Sequence, residues 1–92
     1  MIIEIKLLIA KKSLGQNFLI DKNIVNKIIN TVEITNNNII EIGPGLGVLT
    51  EKILKKNPNK LIIIEKDFEL YKKLLIKFKK EKITIINCDA LL

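Results

Sequence analysis

The feature that most limits what this chain can fold into is the run Ile39-Ile40-Glu41-Ile42-Gly43-Pro44-Gly45-Leu46-Gly47, a short apolar strand pattern that meets three glycines at alternate positions. Glycine adopts backbone conformations that a Cβ penalises, so a strand entering such a run must turn sharply there. The same lack of side chains lets a bound molecule approach the backbone. An apolar stripe at Leu46, Leu49, Ile53 and Leu54 then predicts a helix, with Lys55 and Lys56 in its last turn where cations suit the helix dipole.

The flanking residues extend this unit on both sides. Upstream, Ile24, Val25, Ile28, Ile29 and Val32 recur with helical spacing behind Asp21, a suitable N-cap. Downstream, Leu61 to Ile64 is an unbroken apolar run. Asp67 can cap a helix that carries Leu70, Tyr71, Leu74, Leu75 and Phe78 on one face and lysines on the other. Ile83 to Ile86 is a third β-branched run that closes in Asn87, Cys88 and Asp89. Strands that read as continuously apolar and alternate with helices predict an α/β fold, a parallel sheet covered on both faces.

Composition removes several alternatives. One cysteine, Cys88, and no histidine leave nothing for an internal disulfide or a common zinc site, which points to an intracellular, metal-free protein. The apolar opening is interrupted by Glu4 and Lys6 and is expected to be a short extension over residues 1–12 rather than a targeting peptide. No run approaches the roughly 20 apolar residues of a membrane span. The net charge of +6 would suit nucleic acid, yet every basic residue is lysine and arginine is absent, so charge alone says little. The lysine clusters at 72 to 73 and 79 to 82 are most simply the solvated face and end of a helix.

Three acids stand near strand ends. Glu65 follows the second strand pattern about 20 residues past the turn, where a carboxylate can accept the hydroxyls of a ribose. Asp89 follows the third, on the same rim, and can accept from the exocyclic amine of adenine. Dinucleotide sites use G-x-G-x-x-G and a helix N-terminus to hold a pyrophosphate. Here the spacing is G-x-G-x-G. S-adenosylmethionine has no phosphate to cradle, and a tighter turn behind Glu41 suits its methionine end better.

With Ser13-Leu14-Gly15-Gln16-Asn17-Phe18-Leu19-Ile20-Asp21 ahead of Glu41 to Gly47, Glu65-Lys66-Asp67 and Asp89-Ala90, residues 11 to 92 resemble the opening of the ribosomal RNA adenine N6,N6-dimethyltransferases of the KsgA type. The resemblance implies a Rossmann-like class I methyltransferase half-domain over residues 13–92, with three parallel strands in the order 3-2-1. It also implies a cofactor site for S-adenosylmethionine at Asn17, Leu19, Gly43, Glu65 and Asp89, with Gly45 in the same turn. The residue pattern alone marks Gly43, Glu65 and Asp89; Asn17 and Leu19 rest on the resemblance.

The implied activity is the transfer of two methyl groups to N6 of adenosines in small-subunit ribosomal RNA, in the cytoplasm. Family members continue into a fourth strand with an Asn-Leu-Pro-Tyr type motif and then a helical domain that helps engage RNA. Neither lies within these 92 residues, so no catalytic residue is assigned and the isolated chain is expected to be inactive. The strand at 39–42 is expected to be an open edge prone to self-association, because the fourth strand normally pairs there. Two alternatives compete: a nicotinamide-dependent oxidoreductase, against which the glycine spacing and Gln16-Asn17-Phe18-Leu19 both speak, and a non-catalytic RNA- or partner-binding fragment.

Overall fold

A computed structural model describes residues 5–9 and 22–90. The elements run β1 (Ile5–Ile9), α1 (Lys22–Thr31), β2 (Asn38–Ile42), α2 (Val48–Lys55), β3 (Lys60–Ile64), α3 (Phe68–Lys77) and β4 (Thr84–Ile86). They build one parallel sheet in the order β1-β2-β3-β4. The three strands predicted from the sequence are therefore adjacent and parallel, in the order expected of a Rossmann-like half-domain.

Side chains alternate across the sheet with a period of two. Ile39 and Glu41 on β2 and Leu61 and Ile63 on β3 are buried, and between them Ile40, Ile42, Ile62 and Ile64 are only half-buried. Register aligns the buried set, Ile39 with Leu61 and Glu41 with Ile63. Onto this face pack Ile29 of α1, Ile34, Leu49 and Ile53 of α2, and Leu74 and Phe78, forming one apolar cluster.

Two expectations change. The sequence pattern suggests helices on both faces, whereas the described buried helical residues all join the cluster on one face. The order explains this: each connection steps the same way across the sheet, and right-handed crossovers that step the same way deliver their helices to the same side. The expected open edge is also absent. Ile5–Ile9, within the segment read as a simple extension, pairs along β2 from Ile5 with Asn38 to Ile9 with Ile42. The backbone groups on which self-association was expected are thus engaged, and the outer edge of the sheet is β1.

Helix limits follow local chemistry. Asp67 caps α3 by accepting from the Leu70 N–H at 2.9 Å. Helix α2 starts behind Gly47 in the left-handed region and carries Glu51 in its first turn, where the dipole favours an acid. Leu46 and Leu75, both assigned to apolar stripes, are 60% and 41% exposed. Leu46 lies in the turn before α2 rather than on the helix, and Leu75 follows buried Leu74 by about 100° of helical rotation. No helix of the described residues is long and apolar enough to cross a membrane.

Candidate functional site

The carboxyl ends of β2, β3 and β4 share one rim, and the glycine turn leaves β2 at that rim. The ladder continues one step beyond the strands: the Gly43 N–H donates to the Ile64 carbonyl, and the Glu65 N–H donates to the Ile86 carbonyl, both at 2.9 Å. Gly43 and Glu65 are thereby set on neighbouring strand ends before any side chain is considered.

All three glycines of the turn have positive φ, 72° at Gly43, 60° at Gly45 and 86° at Gly47, and the Gly47 N–H closes the turn on the Pro44 carbonyl at 3.0 Å. Gly45 and Gly47 need glycine for different reasons. A Cβ on Gly47 would stand 2.7 Å from the Phe78 ring, so this glycine lets the turn seat on the end of α3. A Cβ on Gly45 would meet nothing within 4 Å. That backbone faces open space on the rim, as a ligand-approach position should.

Glu65 is fully buried, and its two oxygens brace the rim. Oε1 accepts from the Gly45 N–H at 3.3 Å and Oε2 from the Asp67 N–H at 2.9 Å. One carboxylate therefore joins the glycine turn to the start of α3. Asn87, which the sequence reading passed over as a strand end, donates to the Glu65 carbonyl at 2.8 Å and to the Lys66 carbonyl at 3.2 Å. It ties the segment after β4 to the segment after β3, and Asp89 follows two residues later, exposed. A turn-forming Asn at a strand end gives no signal in sequence that it will reach a neighbouring strand's backbone.

Glu41 stands just before the turn, as in the sequence, but its side chain is enclosed. Its carboxyl is fully buried below the turn, with Oε1 accepting from the Thr50 hydroxyl at 2.5 Å. Oε2 has no hydrogen-bond partner. Burial pushes the acid up to about 7; the Thr50 hydrogen bond opposes the shift and the nearby Glu65 charge adds to it. A group so enclosed does not present itself to a ligand, so Glu41 supports the turn from beneath. Thr50 was missed because a lone threonine beside an apolar helix stripe gives no sign in sequence of the acid it will bond.

On the outer side, the Lys77 ammonium donates to the Leu46 carbonyl at 2.7 Å and pairs with Glu51 at 2.8 Å. Of the six positions expected to line a cofactor site, the fold brings Gly43, Gly45 and Glu65 into one hydrogen-bonded group and puts Asp89 beyond the adjoining strand. Asn17 and Leu19 lie outside the described residues. A shallow hollow between Ile34, Thr35 and Lys56 opens at the opposite rim, away from all of these groups.

The set fits a nucleoside better than a phosphate ligand. The turn offers open backbone at Gly45, but its N–H is already committed to a carboxylate, and a negative group at its centre suits hydroxyls and amines rather than anions.

The family model described as "Ribosomal RNA adenine dimethylase" matches residues 8–92. The chain is 56% identical over 82 residues to "Ribosomal RNA small subunit methyltransferase A" of Pelagibacter ubique (strain HTCC1062), covering 89% of this chain and 31% of that protein. It is 50% identical over 82 residues to the protein of the same name from Mycoplasmopsis pulmonis (strain UAB CTIP), covering 89% and 32%. A third of that name, from Wolbachia sp. subsp. Drosophila simulans (strain wRi), is 48% identical over 88 residues, covering 92% and 32%. The chain spans about a third of the length of these curated relatives.

Proposed function

Since this chain belongs to the ribosomal RNA adenine dimethylase family, we propose that it is the donor-binding portion of an enzyme that transfers methyl groups from S-adenosylmethionine to N6 of adenosines in small-subunit ribosomal RNA, in the cytoplasm. The observation that carries the reading is the pairing of open backbone at Gly45 with a buried carboxylate, Glu65, on the adjoining strand end. When bound, the cofactor supplies a sulfonium methyl group.

The chain's own residues hold and orient it. The Gly43–Gly47 turn gives a surface free of side chains on which the donor can lie. Glu65 accepts the ribose hydroxyls, exchanging its 3.3 Å contact with Gly45, the longer of its two backbone bonds, for the ligand. Asp89 accepts from the adenine amine, and Asn87 fixes the spacing between the two acids. Asn17 and Leu19 complete the site by family resemblance. Because the adenine N6 lone pair is delocalised, methyl transfer depends on orientation, and an unstacked adenosine must be held beside the donor. We assign that task to residues beyond those in this chain and expect no turnover from these 92 residues alone.

The test is equilibrium dialysis with radiolabelled S-adenosylmethionine and two competitors. S-Adenosylhomocysteine is expected to displace the label and a nicotinamide dinucleotide to leave it in place. Displacement by the dinucleotide instead would transfer the site to a different cofactor class.

A further inference from the structure

Glu41 is buried, charged by nature and unused by the site above. It closes β2 one residue before the strand's end, and Thr50 stands in the first turn of α2, so their 2.5 Å bond spans the whole glycine turn. The surroundings offer a carboxylate very little. Its register partner on β3 is Ile63, the helices facing it contribute Ile29, Leu49, Ile53 and Leu74, and Oε2 has no hydrogen-bond partner. The nearest acid is Glu65, whose oxygens already take the Gly45 and Asp67 N–H groups. Lys77 of α3 is engaged by the Leu46 carbonyl and Glu51.

A full charge in that position would face an apolar core, one hydroxyl and a second carboxylate. A neutral carboxyl leaves one hydroxyl, at Oε2, without an acceptor, which costs less than an unpaired buried charge. We propose that Glu41 is a positioning residue that works in its neutral, proton-bearing form, fixing the curvature of the glycine turn through Thr50 so that ligand affinity at the turn weakens when the proton leaves. Its upward-shifted titration agrees with this arrangement. The effect on affinity rests on the donor-binding reading above; the protonation state and its coupling to the turn do not.

Two readouts separate those claims. In the ligand-free chain, 13C labelling of the glutamate side chains follows Glu41 directly while 15N amide shifts follow Gly45 and Gly47. The carboxyl is expected to titrate near neutrality and both glycine amides to move with the same midpoint. E41Q, which keeps a neutral group of the same shape, is expected to abolish that glycine transition, and T50V to displace its midpoint. A Glu41 midpoint in the ordinary range near 4.5, or glycine amides that titrate unchanged in E41Q, overturns the proposal. For S-adenosylmethionine, affinity should fall by roughly fivefold or more between pH 6 and 8 in the native chain and stay level in E41Q. An affinity that rises through that window overturns the brace, since it would mean that the charged carboxylate serves the ligand's cation. Failure of the cofactor to bind at any pH sinks the donor reading and leaves the glycine titration to decide the brace.

Discussion

The Gly45 amide nitrogen stands 3.3 Å from Glu65 Oε1, so the acid at the end of β3 holds the centre of the turn that follows β2. The same carboxylate takes the Asp67 N–H at 2.9 Å and is fully buried. Glutamine at 65 can satisfy only one of these donors with its carbonyl and turns an amine toward the other. E65Q is expected to lower stability by about 1–3 kcal/mol and S-adenosylmethionine affinity by tenfold or more. Urea denaturation and calorimetry read the two effects, and a variant with native affinity removes Glu65 from the site.

Gly45 and Gly47 should separate binding from folding. Gly47→Ala drives a Cβ into the Phe78 ring at 2.7 Å, at a φ of 86°, and is expected to cost about 2–4 kcal/mol. Gly45→Ala meets open space and bears only the cost of its φ of 60°, about 1–2 kcal/mol, yet puts a methyl group where the ligand approaches. Loss of cofactor binding in Gly45→Ala with most of the stability retained is the expected pattern. Equal loss of stability in both variants would contradict it.

Stability should depend on pH through Glu41. Its acid is held at about 7 in the folded chain against 4.5 unfolded, so the folded state binds more protons between those values. The contribution is fully present below pH 4.5 and is lost as pH rises to about 7, at most about 3 kcal/mol over the window. Above that it is constant. Urea midpoints for the native chain and E41Q should converge at low pH and diverge toward neutrality, with E41Q the more stable. Parallel curves would show that Glu41 titrates alike in both states.

The α3 cap offers a control that leaves the Asp67 N–H and its bond to Glu65 in place. Asp67→Ala removes the acceptor for the Leu70 N–H at 2.9 Å and is expected to cost about 1 kcal/mol, with cofactor affinity changed far less than in E65Q. Thermal denaturation and the same titration measure both.

Much of this was legible in the sequence because it depends on local pattern. Strand runs ending in Gly43, Glu65 and Asp89 place those residues on one rim whatever the details of packing, and Asp67 as a cap needs only its neighbours. What escaped depends on contacts between distant segments. Glu41 looked like a ligand group because nothing local shows that Thr50 would enclose it. Asn87 and Lys77 act on backbone carbonyls 21 to 31 residues away, which no spacing rule reaches. Helices on one face follow from crossover direction rather than from any helix's own stripe. The pairing of Ile5–Ile9 with β2 was hidden by reading a β-branched opening as an extension.

The most direct test of the donor site is an amide-shift titration of the 15N-labelled chain with S-adenosylmethionine. Saturable shifts centred on Gly43, Gly45, Glu65 and Asp89 are predicted, with the residues around Thr35 and Lys56 at the far rim unmoved. Shifts confined to that far rim, or none at millimolar cofactor, would contradict the account.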